Sequence, residues 1–257
     1  MRANTFEALL ALTSVAHLCA QTTVPPVHQG LHLTLRCAAT PCRFRLGEAI
    51  RVDLTFSADA ADYGVLSTYP GRFDFIARLD KFTAHPAGDV ADSLGAQSSG
   101  IVVGNSFNPT PKPLLQRTQV TVSEELNQWL RFLRPGRFMV TAVSSRACRL
   151  AEISGFLIWL PPNHVDLTSN PIEIEIVGAE PDWQRRQLEL IVKALPATLF
   201  SKTDAQRAAV RALAYLGTEE ALQEIRERLA ANDEGMDLDW RFAQLVLFQR
   251  TSAPPVH

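Results

Sequence analysis

Across residues 31–177 apolar side chains recur at every second position, and few folds are open to a chain with that period. Leu31, Leu33 and Leu35 alternate with His32, Thr34 and Arg36, and Val52, Leu54 and Phe56 alternate with Arg51, Asp53 and Thr55. The alternation returns at Phe73, Phe75, Ala77 and Leu79, at Thr118, Val120 and Val122, at Phe138, Val140 and Ala142, and at Ile172, Ile174 and Ile176. Successive side chains of a strand point to opposite faces, so each run has one apolar and one polar side. These runs, with an apolar stretch at 156–160 suited to a strand buried on both sides, predict an antiparallel β-sandwich whose inward faces share one core.

The segment before Phe138 adds shape to that expectation. Leu126, Trp129, Leu130 and Leu133 form a short amphipathic turn, Pro135-Gly136 follows, and an aromatic enters the next strand. This arrangement resembles the E–F corner of immunoglobulin-like domains, with phenylalanine in place of the corner tyrosine.

After Gly178 the period lengthens to that of helices. Residues 180–195 predict one helix, with Trp183, Leu190, Ile191 and Ala194 on its apolar face. Thr203 or Asp204 caps a second that runs to Leu216, and Gly217 ends it. Thr218 caps a third carrying Leu222, Ile225 and Leu229, and a fourth at 237–249 buries Leu238, Phe242 and Leu245. Residues 205–229 resemble one HEAT-type hairpin. So few hairpins do not make a self-supporting solenoid, which needs about three repeats. The helices are therefore expected to close on a small core of their own and lean on the sandwich.

The order of Gly47-Glu48 before a strand, Pro135-Gly136, Ser169-Asn170 before the last strand and then helical hairpins resembles a group of exported bacterial proteins. That resemblance implies an immunoglobulin-like β-sandwich followed by a small all-α helical-hairpin region, and no particular activity. The division expected is a signal peptide at 1–20, the sandwich at 21–178 and the HEAT-like helical region at 179–257.

The start of the chain gives the address. Met1 and Arg2 precede an apolar run at 8–18, and Ala20 offers a small residue at a cleavage point. The run is shorter than the roughly 20 residues a membrane span needs. A periplasmic or extracellular protein is expected, and its oxidising surroundings favour a Cys37–Cys42 bond across the four residues between them. Cys148 is then left over.

Chemistry is sparse. The sequence has no nucleophile elbow, zinc-protease helix, phosphate loop or calcium loop. His28, His32, Cys37 and Cys42 cluster in sequence, but alternation sends His32 and Cys37 to opposite faces, so no metal and no cofactor are expected. Asp89 and Asp92 are read as solvated loop carboxylates, and Glu124 and Glu125 as the negative start of a short helix. A formal net charge of −2 gives no reason to expect nucleic acid. The irregular stretch 85–115 exceeds the usual loop length, so Ile101, Val102, Val103 and Phe107 are its candidate binding residues. The expected function is an exported, non-enzymatic interaction or scaffold module with a protein partner. The alternatives are a hydrolase of cell-wall or polysaccharide substrates using carboxylates assembled by the fold, and a carbohydrate-binding module using Trp159.

Overall fold

The computed structural model describes residues 30–59, 63–66, 79–93, 112–114, 118–149, 164–232 and 235–252. The expected signal at 1–20, His28, residues 73–77, the loop candidates Ile101, Val102, Val103 and Phe107, and the stretch 156–160 with Trp159 lie outside the described residues.

The strands are β1 (Leu31–Cys37), β2 (Arg43–Arg45), β3 (Arg51–Ala58), β4 (Tyr63–Val65), β5 (Asp80–His85), β6 (Val90–Asp92), β7 (Lys112–Leu114), β8 (Gln119–Glu125), β9 (Leu130–Phe132), β10 (Gly136–Arg149), β11 (His164–Thr168) and β12 (Ile172–Val177). Four helices follow: α1 (Pro181–Ala194), α2 (Asp204–Leu216), α3 (Glu219–Ala230) and α4 (Leu238–Ser252).

The first sheet is β1-β3-β8, with Leu33 opposite Phe56 and Leu54 opposite Val122. The second is built along β10, the longest strand: β12 and β11 pair with one of its edges, β5 and β4 with the other. A small ribbon, β6-β9, stands beside them. Leu35, Leu54 and Phe56 of the first sheet and Phe138, Val140 and Ile174 of the second are buried in one cluster. The alternation thus does what its period requires, placing each apolar set on an inward face.

One pairing departs from the antiparallel expectation: β2 runs parallel to β12. The chain leaves the first sheet at Cys37, turns through the segment closed by Cys42, and enters the second sheet as β2. That crossing brings it alongside the last strand in the same direction. A three-residue strand also carries too little alternation to be read as one.

The helices enclose a second cluster that includes Val210, Leu213, Ile225, Trp240 and Phe242. Thr203 and Gln206 form a reciprocal capping box at the start of α2, Gly217 ends it with φ +55°, and Thr218 caps α3. In α1 the inward residues are Trp183, Leu188 and Ile191, followed by Leu195 just past its end, whereas Leu190 is 60% exposed. Leu190 sits beyond the stripe because i, i+4 spacing from Trp183 leads through 187 and 191. In α4 the expected Phe242 is buried, Leu238 and Leu245 only partly, and Trp240 fills the space between.

Candidate functional site

The sheets and the helices meet at the Gly47 turn and at an ion-pair cluster, among other contacts. Gly47 lies in a tight turn closed by the Glu48 amide donating to the Arg45 carbonyl (3.0 Å) and the Arg45 amide donating to Glu48 Oε2 (2.8 Å). Its φ is +87°, and a Cβ there would come within 3.1 Å of the Leu216 carbonyl oxygen. The end of α2 therefore packs directly on the backbone of this turn. Asn127 fastens the neighbouring segment, accepting from the Ile50 amide at 2.6 Å and donating to the Glu48 carbonyl at 3.0 Å.

The second of these contacts with the helices is ionic. Glu124 and Glu125 were expected to open a helix, but β8 runs through Glu125, and only a 3-10 turn at Leu126–Gln128 follows. Glu125 points to the helices, where it accepts from Arg211 Nε (2.7 Å) and Nη2 (3.2 Å) and from the Tyr215 hydroxyl (2.9 Å). Arg211 also donates to Asp239 at 2.7 Å. Burial would raise the Glu125 carboxyl, but the Arg211 and Tyr215 bonds outweigh it and hold Glu125 below the ordinary carboxylate range. Burial likewise opposes the charge of Arg211, and Glu125 reverses that and raises it. For Asp239 burial wins, with repulsion from Asp237 adding to it, and its carboxyl is pushed up to about 6. Burial first, and then the Glu125 charge, raises the Tyr215 phenol.

Glu124 keeps the inward parity of Val122 and reaches the sheet core, where Arg146 is wholly buried. Arg146 donates to Asp80 (2.8 Å), Glu124 (2.7 Å) and the Leu66 carbonyl (3.2 Å). These carboxylates are brought together by the fold, but they are sealed from solvent and committed to a cation. Their arrangement is structural.

Beside this junction lies a cavity of about 310 Å³. Arg45 of β2, Arg131 of β9 and Arg250 of α4 line it, with Ser93, Asn127, Thr218 and Gln249 among the further polar groups; Arg45 is paired with Glu180 at 3.3 Å. None of the described lining residues is aspartate, glutamate or histidine. Arg131 lies between Leu130 and Phe132, which are buried in the sheet core and also line the cavity at this end of β9. Helical spacing explains Arg250, which follows Phe242 and Val246 at intervals of four. Arg250 donates through Nη1 to the Gly217 carbonyl. Among the described residues, the buried Nε groups of Arg131 and Arg250 have no acceptor. Burial lowers the pKa of Arg131, and burial followed by repulsion from Arg131 brings Arg250 down to about 10.

The residues singled out from sequence lie elsewhere. Cys37 and Cys42 are bonded, with Cα atoms 5.8 Å apart. Cys148 is buried with its thiol toward the Gly64 carbonyl, and burial raises its pKa. His32 sits 3.6 Å from Asp59, and Asp89 forms an exposed pair with Arg134. Neither Arg131 nor Arg250 was marked by the sequence. An isolated Arg between Leu130 and Phe132 is also what a solvent-facing strand position looks like.

No protein-family model matches the chain, and no curated protein matches it. Among solved structures, similarity is found to a β-glucosidase from Listeria innocua in complex with glucose, at 14% identity and a TM-score of 0.24. The match covers 58% of this chain and 16% of the enzyme's length, and a score that low carries no argument about fold or activity.

Proposed function

We propose that this chain is an exported, non-catalytic binding module: an immunoglobulin-like β-sandwich joined to a helical-hairpin region, with its ligand site in the cavity between them. Two sheets with one shared core support the sandwich reading, as does a chain that crosses between the sheets at the bonded Cys37–Cys42 turn. The observation that carries the functional reading is the lining of the junction cavity. It combines arginine, amide and hydroxyl groups with apolar walls, the usual make-up of a small-ligand site.

A catalytic reading finds less support. Ser93 donates its hydroxyl to the Asn127 carbonyl at 2.6 Å, and the described residues of the cavity lining include neither histidine nor carboxylate. A glycoside hydrolase needs two carboxyl groups about 5–9 Å apart at the scissile bond, and Asp80 and Glu124 are held on Arg146 inside the core.

Native mass spectrometry of the full chain after exposure to an envelope extract tests the proposal. A ligand retained by the wild type and lost from Gln249→Trp, which fills the cavity, is the expected result. Equal retention by both, or release of products from cell-wall or polysaccharide substrates, overturns it.

A further inference from the structure

We infer that the junction cavity is an oxyanion site, in which Arg131 and Arg250 hold the phosphate or carboxylate group of a small ligand. This rests on reading the cavity as a ligand site and names the chemistry of what it takes.

Other shielded arginines of this protein are each matched by a carboxylate. Arg146 is matched by Asp80 and Glu124, and Arg211 by Glu125 and Asp239. Arg207 is matched by Asp204, and Arg228 by Glu224. Arg131 and Arg250 break that rule together and at one place, for among the described residues no carboxylate pairs with either. A cation withdrawn from water without a counter-charge is unfavourable, and two in one cavity repel each other as well. Burial lowers the Arg131 guanidinium, and burial followed by repulsion from Arg131 lowers that of Arg250.

A ligand oxyanion removes the conflict. The guanidinium fork matches the two oxygens of a carboxylate or phosphate, and charge-assisted bonds of this kind are roughly twice as strong as neutral ones. The buried Nε groups are donors still in need of acceptors. Arg250 is already oriented by its bond to the Gly217 carbonyl, so little side-chain freedom is lost when an anion arrives. Phe132, Leu216 and Val246 supply apolar wall for the rest of the ligand. About 310 Å³ lies at the lower end of small-molecule sites, which sets the ligand's size.

The test is calorimetry and thermal unfolding of the full chain with inorganic phosphate and, separately, with acetate, each against chloride at constant ionic strength. Saturable binding of at least one ion at a single site per chain, with a raised melting temperature, is expected. The ion bound more tightly tells phosphate from carboxylate. Arg131→Met and Arg250→Met should each weaken binding by about tenfold or more. Should Arg250→Met fail to fold once its bond to Gly217 is gone, Arg131→Met carries the comparison. Arg36→Met, exposed on β1, should bind as the wild type does. No saturable binding of either ion, or binding unchanged in Arg131→Met, overturns the inference. If neither ion binds while an extract ligand is still lost from Gln249→Trp, the oxyanion assignment falls and the binding module stands. If phosphate or acetate binding depends on Arg131 while Gln249→Trp retains the extract ligand, the oxyanion site stands and that ligand sits elsewhere.

Discussion

Arg211 reaches from α2 to the end of β8 and places Nε 2.7 Å from Glu125 Oε2 and Nη2 3.2 Å from Glu125 Oε1. The two side chains are only 11% and 12% exposed, so solvent screens the pair weakly. Removing one partner of such a pair leaves the other charge shielded from water, which typically costs 3–5 kcal/mol. Arg211 keeps Asp239, so Glu125→Gln should lower unfolding free energy by about 3 kcal/mol or somewhat less. Urea titration measures it, and a double-mutant cycle with Arg211→Met should show that most of the loss belongs to the pair.

The same cluster makes stability depend on pH. Asp239 titrates at about 6 in the folded chain against an ordinary 3.8, because burial and Asp237 outweigh Arg211 and Arg207. Between those values the folded chain holds a proton that the unfolded chain has released, so this residue's contribution falls as pH rises. Glu125 works the other way: its lowered carboxyl contributes stability above the ordinary range and loses it as pH falls through the folded value. Asp239→Asn removes only the first effect. Relative to wild type, that variant should gain about 2 kcal/mol between pH 4 and pH 7 in matched urea titrations. A constant difference across that window would contradict the assignment.

What the sequence made legible was whatever is written in a local period. The inward sets of β1, β3, β10 and β12 could be marked because alternation over five or more residues repeats one instruction. The caps at Gly217 and Thr218 were equally plain, and that of α2 was narrowed to Thr203 or Asp204, since each solves a problem within one helical turn. Strands of three residues, such as β2, β4 and β9, carry no period to detect. Glu124 and Glu125 looked like a helix start because two acids before an amphipathic turn satisfy that rule. Only the positions of Arg146 and Arg211, remote in the chain, show that each acid instead has a cation waiting. The cavity was the least legible feature, as it joins the Arg45–Gly47 turn, β9 and the end of α4, and no short stretch specifies it.

Gly47 should be intolerant of any side chain. A left-handed conformation costs an ordinary residue about 1–2 kcal/mol, and here the added Cβ would also meet the Leu216 carbonyl oxygen at 3.1 Å and Leu216 Cα at 3.2 Å. Both are backbone atoms, so α2 would have to move. Gly47→Ala is expected to cost about 2 kcal/mol or more in urea unfolding. Gly88→Ala, where nothing lies within 4 Å of the new Cβ, should change little and serves as the control.

Whether the helices and the sheets form one energetic unit can be tested by stopping the chain at Gly178. The helices have a core of their own, yet Ala49 from the sheet side packs against that core, and Glu125 and the Gly47 turn contact α2 directly. Removing residues beyond 178 therefore uncovers apolar surface around Ile50, Leu130 and Phe132, all of which line the junction cavity. Apolar surface returned to water costs about 25 cal/mol per Å², so the fragment should melt at a lower temperature than the full chain and be less soluble. Lower stability alone does not show that the junction is the cause, and Glu125 supplies the discriminating measurement. In the fragment its carboxylate has lost Arg211 and Tyr215 and faces water, so Glu125→Gln should be nearly neutral there. In the full chain the same change should cost about 3 kcal/mol. An equal effect in both backgrounds, or a fragment with the full chain's melting temperature, would mean that the helical region is an independent appendage.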